Sequence, residues 1–462
     1  MQPPLPQLKD YGLSEETGFL PEEHDLCAQL PLQHLYGAWE TLARDAPALR
    51  LCGRLRTLCD QLPILQPNGL KGIGEQRRAF SILGFLAHAY VWGEDGPPCS
   101  HLPPGLAVPW VQLAQTLEVP PVMCYAACVL WNWHPIFRAG DERISLHSIA
   151  TDRTFTGSTD ESWFYLVSVA IEARGGPCLQ SLLHCMHLAR EADYEGMVAA
   201  LADVAEDIHC MTNTLARMYE HCDPHSFFYG FRPFLAGWQN MRAAGLEGVV
   251  YGGVDEEVPR VYAGGSNAQS SLIQAMDLAL GVKHHPTGSD QGEGKHGFIS
   301  EMQDYMPGPH RRFLQHVEQV ACIRAVVQAS ESTLLADMYS LCVERLADLR
   351  ATHLQIVARY IVVQSMPRET EAGPQGEEGR TPWKETVRRG LSVAREGPKR
   401  GTGGTQLIPF LKQARDETHR TAVNPWNSYT SSPTVRTNES RLVMGLAAQW
   451  AVADDVGGIC QY

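Results

Sequence analysis

Several features that would place this chain in a membrane or in the secretory pathway are missing from the sequence. No uninterrupted apolar stretch reaches the roughly 18 residues that a membrane helix needs. The N-terminus has neither the basic start nor the apolar core of a signal peptide. The 13 cysteines stand singly, from Cys27 to Cys460, without a CxxC pair, which argues against a disulfide framework and against a zinc site. We therefore expect a cytoplasmic protein with reduced thiols and no membrane partner.

Positive charge is also scarce. Lys and Arg number 38 against 52 Asp and Glu, and the net charge is −14. Because binding to nucleic acids needs clustered Lys and Arg, we expect no nucleic-acid partner. The two glycine loops, at residues 264–266 and 401–405, neither precede a Lys-Ser/Thr pair nor follow a clear strand. They are therefore poor candidates for a phosphate-binding loop.

The length of 462 residues exceeds what one hydrophobic core usually fills, and 44% hydrophobic residues provide ample core. A short, polar, turn-rich stretch at residues 141–159 predicts a domain boundary near residue 150. The organisation that we expect is a small N-terminal domain, a large helical domain, a mobile acidic and basic loop, a Gly-rich loop with a C-terminal helix, and a disordered tail. These five parts correspond to residues 1–150, 151–366, 367–400, 401–418 and 419–462.

Residues 331–365 contain neither proline nor glycine and predict one long helix that starts at Ser330 and Glu331. On this helix His353 falls within the apolar stripe, together with Leu346, Leu349, Ile356 and Tyr360. A buried imidazole needs a partner for each ring nitrogen, because an unmet polar group costs roughly 1 to 3 kcal/mol. Spacing alone favours a hydrogen-bonded core histidine over a metal ligand.

Three other features of the chain carry local predictions. Between residues 25 and 62 the apolar spacing predicts helices that are broken at Pro47. His184 and His187 are spaced as in a di-iron helix, but no second Glu-x-x-His accompanies them. His284 and His285 are interpreted as a surface pair.

The sequence LRATHLQIVARYI, residues 349–361, resembles the haem-ligating helix of the indoleamine 2,3-dioxygenase family. Other motifs of that family occur between residues 5 and 418, and they stand in the same order along the chain as in the family. They include Asp10-Tyr11-Gly12, Gly18-Phe19-Leu20-Pro21, Ala89-Tyr90-Val91-Trp92-Gly93, residues 224–234 and Gly401-Thr402-Gly403-Gly404-Thr405. The resemblance implies a mainly α fold, with a large all-helical haem-binding domain preceded by a smaller, mostly helical N-terminal domain. It also favours a helix at residues 162–173, where β-branched and aromatic residues alone predict a strand.

The resemblance implies that His353 is the proximal iron ligand of haem b. Asp277 would then orient the second ring nitrogen of His353, as a carboxylate does in the family. Arg350 would neutralise a haem propionate or Asp277. Without the resemblance, Arg350 is simply a solvated helix residue.

For the substrate, the resemblance implies that Arg232 binds a carboxylate, although its aromatic surroundings also suit a guanidinium stacked on rings. Ser168 is interpreted as a packing and hydrogen-bonding residue, because an unactivated hydroxyl is a poor base at neutral pH. The residues flanking Arg232 differ from those of the vertebrate enzymes, which leaves substrate affinity open. The other substrate-binding residues that the resemblance implies are Phe227, Tyr125, Val129, Phe164, Ser168, Thr402, Gly265 and Ser266.

The function implied by the resemblance is insertion of both atoms of dioxygen across the indole C2=C3 bond of L-tryptophan, giving N-formylkynurenine, the first step of the kynurenine pathway. An electron donor would reduce the ferric haem, and the chain would be a monomer. The alternative is an oxygen-binding haem protein on the same scaffold with little or no turnover. Arg232 and the loop 401–405 argue against it, because oxygen storage needs neither.

Overall fold

Helices dominate the computed structural model of this protein, which describes residues 3–22, 32, 34–93, 97–136, 144–255, 258–286, 297–366 and 407–423. The mainly α fold class is confirmed. The loops at 367–400 and 401–405, with Thr402, and most of the expected tail lie outside the described residues. Residues Met1–Val423 belong to one compact unit, and the boundary near residue 150 stays a prediction.

The first part of the chain forms four helices, and the third of these in sequence is mostly buried, with the other three packed against it. They are α1 (Gly37–Leu51), α2 (Leu55–Asp60), α3 (Gly72–Val91) and α4 (Pro104–Leu117). The predicted break at Pro47 is wrong, because α1 runs through this residue to Leu51. A proline in a helix removes one backbone hydrogen bond, but the face made by Trp39, Ala43 and Ala46 is buried, and its packing outweighs that loss. The chain turns only at Gly53, whose φ of 68° is left-handed.

Two pairs of short strands join loops of the described chain. Strand β1 (His101–Leu102) pairs in parallel with β4 (Val250–Tyr251). Strand β2 (Trp133–Pro135) pairs antiparallel with β3 (Ile149–Thr151), with Trp133 opposite Thr151. These strands are too short to form a core of their own, so the hydrophobic core is made by helices.

The second part of the chain is built from helices that enclose the site described below. They are α5 (Thr159–Glu191), α6 (Tyr194–Ala216), α7 (Met218–His221), α8 (Ser271–Leu280), α9 (Phe298–Gln303), α10 (Gly308–Val320), α11 (Ile323–Ala329), α12 (Thr333–Val357) and α13 (Leu407–His419). No helix among the described residues is long and apolar enough to cross a membrane.

Helix α5 covers the segment where residue propensity alone predicts a strand. Its N-terminus is capped by Ser158, whose side-chain oxygen accepts a hydrogen bond from the backbone N–H of Glu161 at 3.1 Å. Its first turn carries Asp160 and Glu161, whose negative charges interact favourably with the positive end of the helix dipole. The helix then packs along α6 and against α8. Tertiary packing and a good cap therefore override the strand propensity, and the helix implied by the resemblance is confirmed.

Helix α12 is the long helix expected from the uninterrupted run after residue 330. It is capped by Ser332, two residues beyond the expected start, and the Ser332 hydroxyl accepts from the N–H of Leu335 at 3.3 Å. It packs against both α6 and α13. The chain continues as a π-helical turn, Ala358–Val362, and a 3₁₀ turn, Val363–Ser365, so the helical path reaches the predicted end.

Candidate haem and substrate site

One cavity brings together the site residues predicted from the sequence. It lies between α5, α8, α12 and α13 and is walled mostly by apolar side chains. Of the predicted residues, only Thr402 lies outside the described part of the chain. The others all line this cavity: Tyr125, Val129, Phe164, Ser168, Phe227, Arg232, Gly265, Ser266, Asp277, Arg350 and His353.

Three π-helical turns supply part of this wall. The turn Ala126–Leu130 contributes Val129, the turn Ser226–Phe231 contributes Phe227, and the turn Ala358–Val362 contributes two further residues. A π turn inserts one residue into a helix and rotates the side chains around it, and such turns are frequent at functional sites. No spacing rule for α-helices anticipates this local geometry.

His353 lies on the α12 side of the cavity. Its Nε2 is 3.4 Å from Nδ2 of Asn267, a contact that the sequence did not suggest. Burial, together with the positive charge of Arg350, lowers the pKa of His353 to about 4. The imidazole is therefore neutral near pH 7 and keeps the nitrogen lone pair that a metal ligand needs.

Asp277 and Arg350 form a buried ion pair beside His353. Nη2 of Arg350 donates to both carboxylate oxygens of Asp277, at 2.7 and 2.6 Å, and Nη1 donates to the hydroxyl of Thr418 at 2.9 Å. Asp277 hydrogen-bonds Arg350 and His284 in this structure, not the ring of His353 as the resemblance suggested. Of the two roles considered for Arg350, the structure shows the pairing with Asp277.

His284 belongs to the same cluster, and its interpretation as a surface residue is wrong. Its side chain is only 12% exposed, and it bridges Asp277 at 3.2 Å and Glu417 at 2.8 Å. His285 is half exposed and also contacts Glu417. Sequence spacing could not reveal this arrangement, because Glu417 lies on α13, 133 positions away from His284.

Arg232 places a buried positive charge on the lining of the cavity. It is 1% exposed, and its guanidinium carbon lies 5.2 Å from the centre of the Phe228 ring. Burial lowers the pKa of Arg232 to about 10, so the side chain remains a cation at neutral pH. The aromatic contact expected from the sequence is therefore present, and it leaves the guanidinium on the cavity wall.

Phe227 is held by other aromatic rings. Its centroid lies 5.2 Å from that of Phe164, 5.3 Å from that of Phe231 and 5.6 Å from that of Tyr360. Aromatic pairs at such distances add packing energy of about 0.5–1.5 kcal/mol each beyond area burial. Phe164 and Phe227, two of the phenylalanines that line the cavity, are thus held in place by their aromatic neighbours.

A buried carboxyl group beneath the lining was not predicted. Oε1 of Glu172 accepts hydrogen bonds from the Tyr125 hydroxyl at 2.9 Å and from the Ser270 hydroxyl at 2.6 Å. Among the described residues, Oε2 of Glu172 has no hydrogen-bond partner. Burial raises the pKa of Glu172 to about 7 despite the two hydrogen bonds. The signal that could have revealed it is its position four residues after Ser168, on the same face of α5.

Ser168 itself points its hydroxyl at the backbone, donating to the carbonyl of Phe164 at 3.4 Å. This intrahelical bond agrees with a packing residue rather than an activated base.

These residues fit a flat, largely apolar cofactor that takes one imidazole ligand. The neutral nitrogen of His353 is available on one wall, and aliphatic and aromatic side chains make up most of the remaining lining. The described residues contain no group of three or more His, Cys, Asp or Glu side chains that could hold a metal ion directly. A single histidine suffices for haem, because the porphyrin supplies the other ligands.

Comparison with known proteins agrees with this geometry. The family model described as indoleamine 2,3-dioxygenase matches residues 7–421. The chain is 40% identical to the indoleamine 2,3-dioxygenase of Saccharomyces cerevisiae, over 91% of this chain and 94% of that protein. It is 36% identical to a 6-hydroxytryptophan 2,3-dioxygenase of Fusarium equiseti, over 89% and 97%. It is 32% identical to human indoleamine 2,3-dioxygenase 2, over 90% and 96%. This chain therefore belongs to the indoleamine 2,3-dioxygenase family of oxidoreductases.

Proposed function

We propose that this protein binds haem b through His353 and converts L-tryptophan and dioxygen into N-formylkynurenine. The observation that carries this proposal is the convergence of the neutral His353 and the cationic Arg232 on one mostly apolar cavity. An indole is apolar, and the amino-acid end of tryptophan carries a carboxylate, so the cavity matches both parts of this substrate.

The side chains of the protein orient the substrate. Arg232 binds the carboxylate through a charge-assisted hydrogen bond worth about 1.5–3 kcal/mol, and Phe227 packs against the indole ring. Thr402, outside the described residues, is proposed to contact the amino-acid end of the substrate. Holding the indole in one orientation beside the cofactor lowers the entropic part of the barrier.

Haem, when bound, supplies the dioxygen chemistry that no side chain offers, and it must first be reduced by an electron donor. The protein's further contribution is a cavity whose lining is chiefly aliphatic and aromatic, which disfavours water beside the substrate. Ser168 keeps its hydroxyl on the Phe164 carbonyl and takes no proton from the substrate.

The test is to reconstitute the protein with haem, reduce it, add L-tryptophan under air and follow N-formylkynurenine by absorbance. We expect product in proportion to haem content. A stable oxygenated haem spectrum without product would favour an oxygen-binding protein, and a colourless protein would overturn the role of His353. Because a relative is named as a 6-hydroxytryptophan 2,3-dioxygenase, 6-hydroxytryptophan in parallel assays would define the substrate among ring-substituted tryptophans.

A further inference from the structure

Four charged side chains alternate in sign between the cavity wall and α13. Glu417 contacts His284 at 2.8 Å, His284 contacts Asp277 at 3.2 Å, and Arg350 contacts Asp277 at 2.6 Å. Their side chains are 6–13% exposed, so water screens these contacts weakly. His284 is the only member that touches both carboxylates.

The charge of His284 is set by its neighbours. Burial opposes an imidazolium, but the negative charge of Asp277 and the hydrogen bonds to Asp277 and Glu417 outweigh it and raise the pKa of His284 to about 9. Burial likewise opposes a Glu417 carboxylate, but hydrogen bonds from His284 and Gln413 lower the pKa of Glu417 to about 2. At neutral pH the four groups are thus two anions and two cations.

Helix α13 presents one face to the cavity. Leu407, Phe410, Leu411 and Ala414 line it, and their spacing of three, one and three residues keeps them on the same side of the helix. One turn further along that face comes Glu417, which binds His284. Thr418, beside it, binds Arg350.

The two kinds of contact hold α13 in different ways. Its apolar residues pack without directional preference, whereas the bonds of Glu417 and Thr418 fix the position of the last turn along the helix axis. The segment just before α13 in sequence contains the glycine loop with Thr402.

We propose that His284 is a positioning residue that latches α13 onto the cavity wall through Glu417, and that this latch limits how fast haem leaves the cavity. The part that concerns haem rests on the proposed function, whereas the attachment of α13 does not. An opening of α13 breaks the His284–Glu417 contact, exposes the apolar cavity lining and uncovers the wall beside Asp277 and Arg350.

The variants His284→Gln and Glu417→Gln test the latch. Glutamine has nearly the same reach as either side chain but removes the charge. At position 284 its two N–H donors share one nitrogen, whereas the imidazolium reaches Glu417 through Nδ1 and Asp277 through Nε2. Matched controls are Asp416→Asn, an exposed neighbour on α13 paired with Arg415, and His285→Gln, the half-exposed neighbour of His284.

The first measurement is amide hydrogen exchange of α13 in the native chain and in each variant, with and without haem. We expect the protection of α13 amides to fall at least about tenfold in His284→Gln and in Glu417→Gln. The double variant should lose no more than either single variant, because both break the same contact. Asp416→Asn should match the native chain, and His285→Gln should lie much closer to it than His284→Gln does.

The second measurement is the rate at which reconstituted protein releases haem to an excess of apomyoglobin, as a function of pH. Among the described residues, the charged groups that face His284 are Asp277 on α8, Arg350 on α12 and Glu417 on α13. Because the pKa of His284 is raised, the latch is complete below pH 6.5 and is lost as pH rises through about 9. Native protein should therefore release haem faster above pH 9 than at pH 7. His284→Gln should release haem several times faster than native protein at pH 7, and its rate should show no increase as pH rises through about 9.

Unchanged protection of α13 in His284→Gln, or additive losses in the double variant, would overturn the latch. If the substitutions speed amide exchange in α13 but leave the rate of haem release unchanged, the latch does not control haem release. A native chain that binds no haem or makes no product would contradict the proposed function, and the exchange measurement without haem would still decide on the attachment of α13.

Discussion

Nη2 of Arg350 lies within 2.7 Å of both carboxylate oxygens of Asp277, on the wall of the cavity that contains His353. Burial opposes the ionised form of Asp277, but the charges of Arg350 and His284 outweigh it and lower its pKa below the ordinary 3.8. The pair is therefore ionised at neutral pH, and removing one partner leaves the other charge buried.

We expect Asp277→Asn to lower the free energy of unfolding by about 3 kcal/mol or more, because the buried Arg350 loses its carboxylate partner and His284 loses one of its two. Urea unfolding followed by circular dichroism measures the change. Asp348→Asn is the control on the same helix as Arg350, since Asp348 is exposed and lies 3.8 Å from Arg345; its effect should stay within about 0.5 kcal/mol.

The pH dependence gives a second check on Asp277. A lowered pKa means that its contribution is present above the unfolded value of 3.8 and disappears as pH falls through the lower folded value. The stability difference between native and Asp277→Asn should therefore persist at pH 5 and shrink well below pH 3.8. A difference that is the same at all these pH values would contradict an ionised Asp277.

His353→Ala should yield folded protein with little haem. The substitution removes the neutral nitrogen but leaves α12 capped by Ser332 and packed against α6, so the far-UV circular dichroism should be unchanged. Haem content is measured by the Soret absorbance and the pyridine haemochrome. Added imidazole, which fits the space left by the side chain, should restore part of the Soret band. Full haem loading of His353→Ala in plain buffer would move the ligand to another residue.

The site was predictable from the sequence to the extent that motifs fix its residues. His353 lies far along the chain from Arg232 and Phe227, and only a family resemblance could bring them together, because spacing along one helix says nothing about contacts between helices. Helical periodicity did place His353 correctly on the apolar stripe of α12. It did not distinguish a ligand from a core histidine.

Other features were beyond local rules for physical reasons. The break expected at Pro47 fails because the buried face of α1 outweighs one lost hydrogen bond. His284 looked like a surface residue because its partners, Asp277 and Glu417, are brought to it by tertiary packing. The π turns that aim Val129 and Phe227 into the cavity arise from packing and have no signature in helical spacing.

Arg232→Ala should lower kcat/KM for L-tryptophan by about tenfold or more, at about 1.4 kcal/mol per decade, because the substrate carboxylate loses its cation. Steady-state kinetics on protein of known haem content measures this, and haem content itself should not change. Tryptamine, which lacks the carboxylate, provides the control ligand: its binding, followed by the haem spectrum, should be affected much less. Equal losses for tryptophan and tryptamine would indicate a packing role for Arg232 instead.

Glu172 should make the protein less stable as pH rises through neutrality. Its pKa is raised by burial from 4.5 to about 7, so between these values the folded protein holds a proton that the unfolded chain releases. Raising the pH across this interval therefore favours unfolding, by an amount on the order of 3 kcal/mol at about 1.4 kcal/mol per pH unit.

Glu172→Gln should remove this contribution, because glutamine is neutral at every pH and its amide oxygen can still accept from Tyr125 and Ser270. Urea unfolding of both proteins from pH 5 to pH 8 measures it: the variant should gain stability relative to native as pH rises. Tyr125→Phe is the companion variant, since it removes one donor to the carboxylate and should raise the pKa of Glu172 further. If native and Glu172→Gln keep a constant stability difference over this range, the carboxyl group does not titrate there.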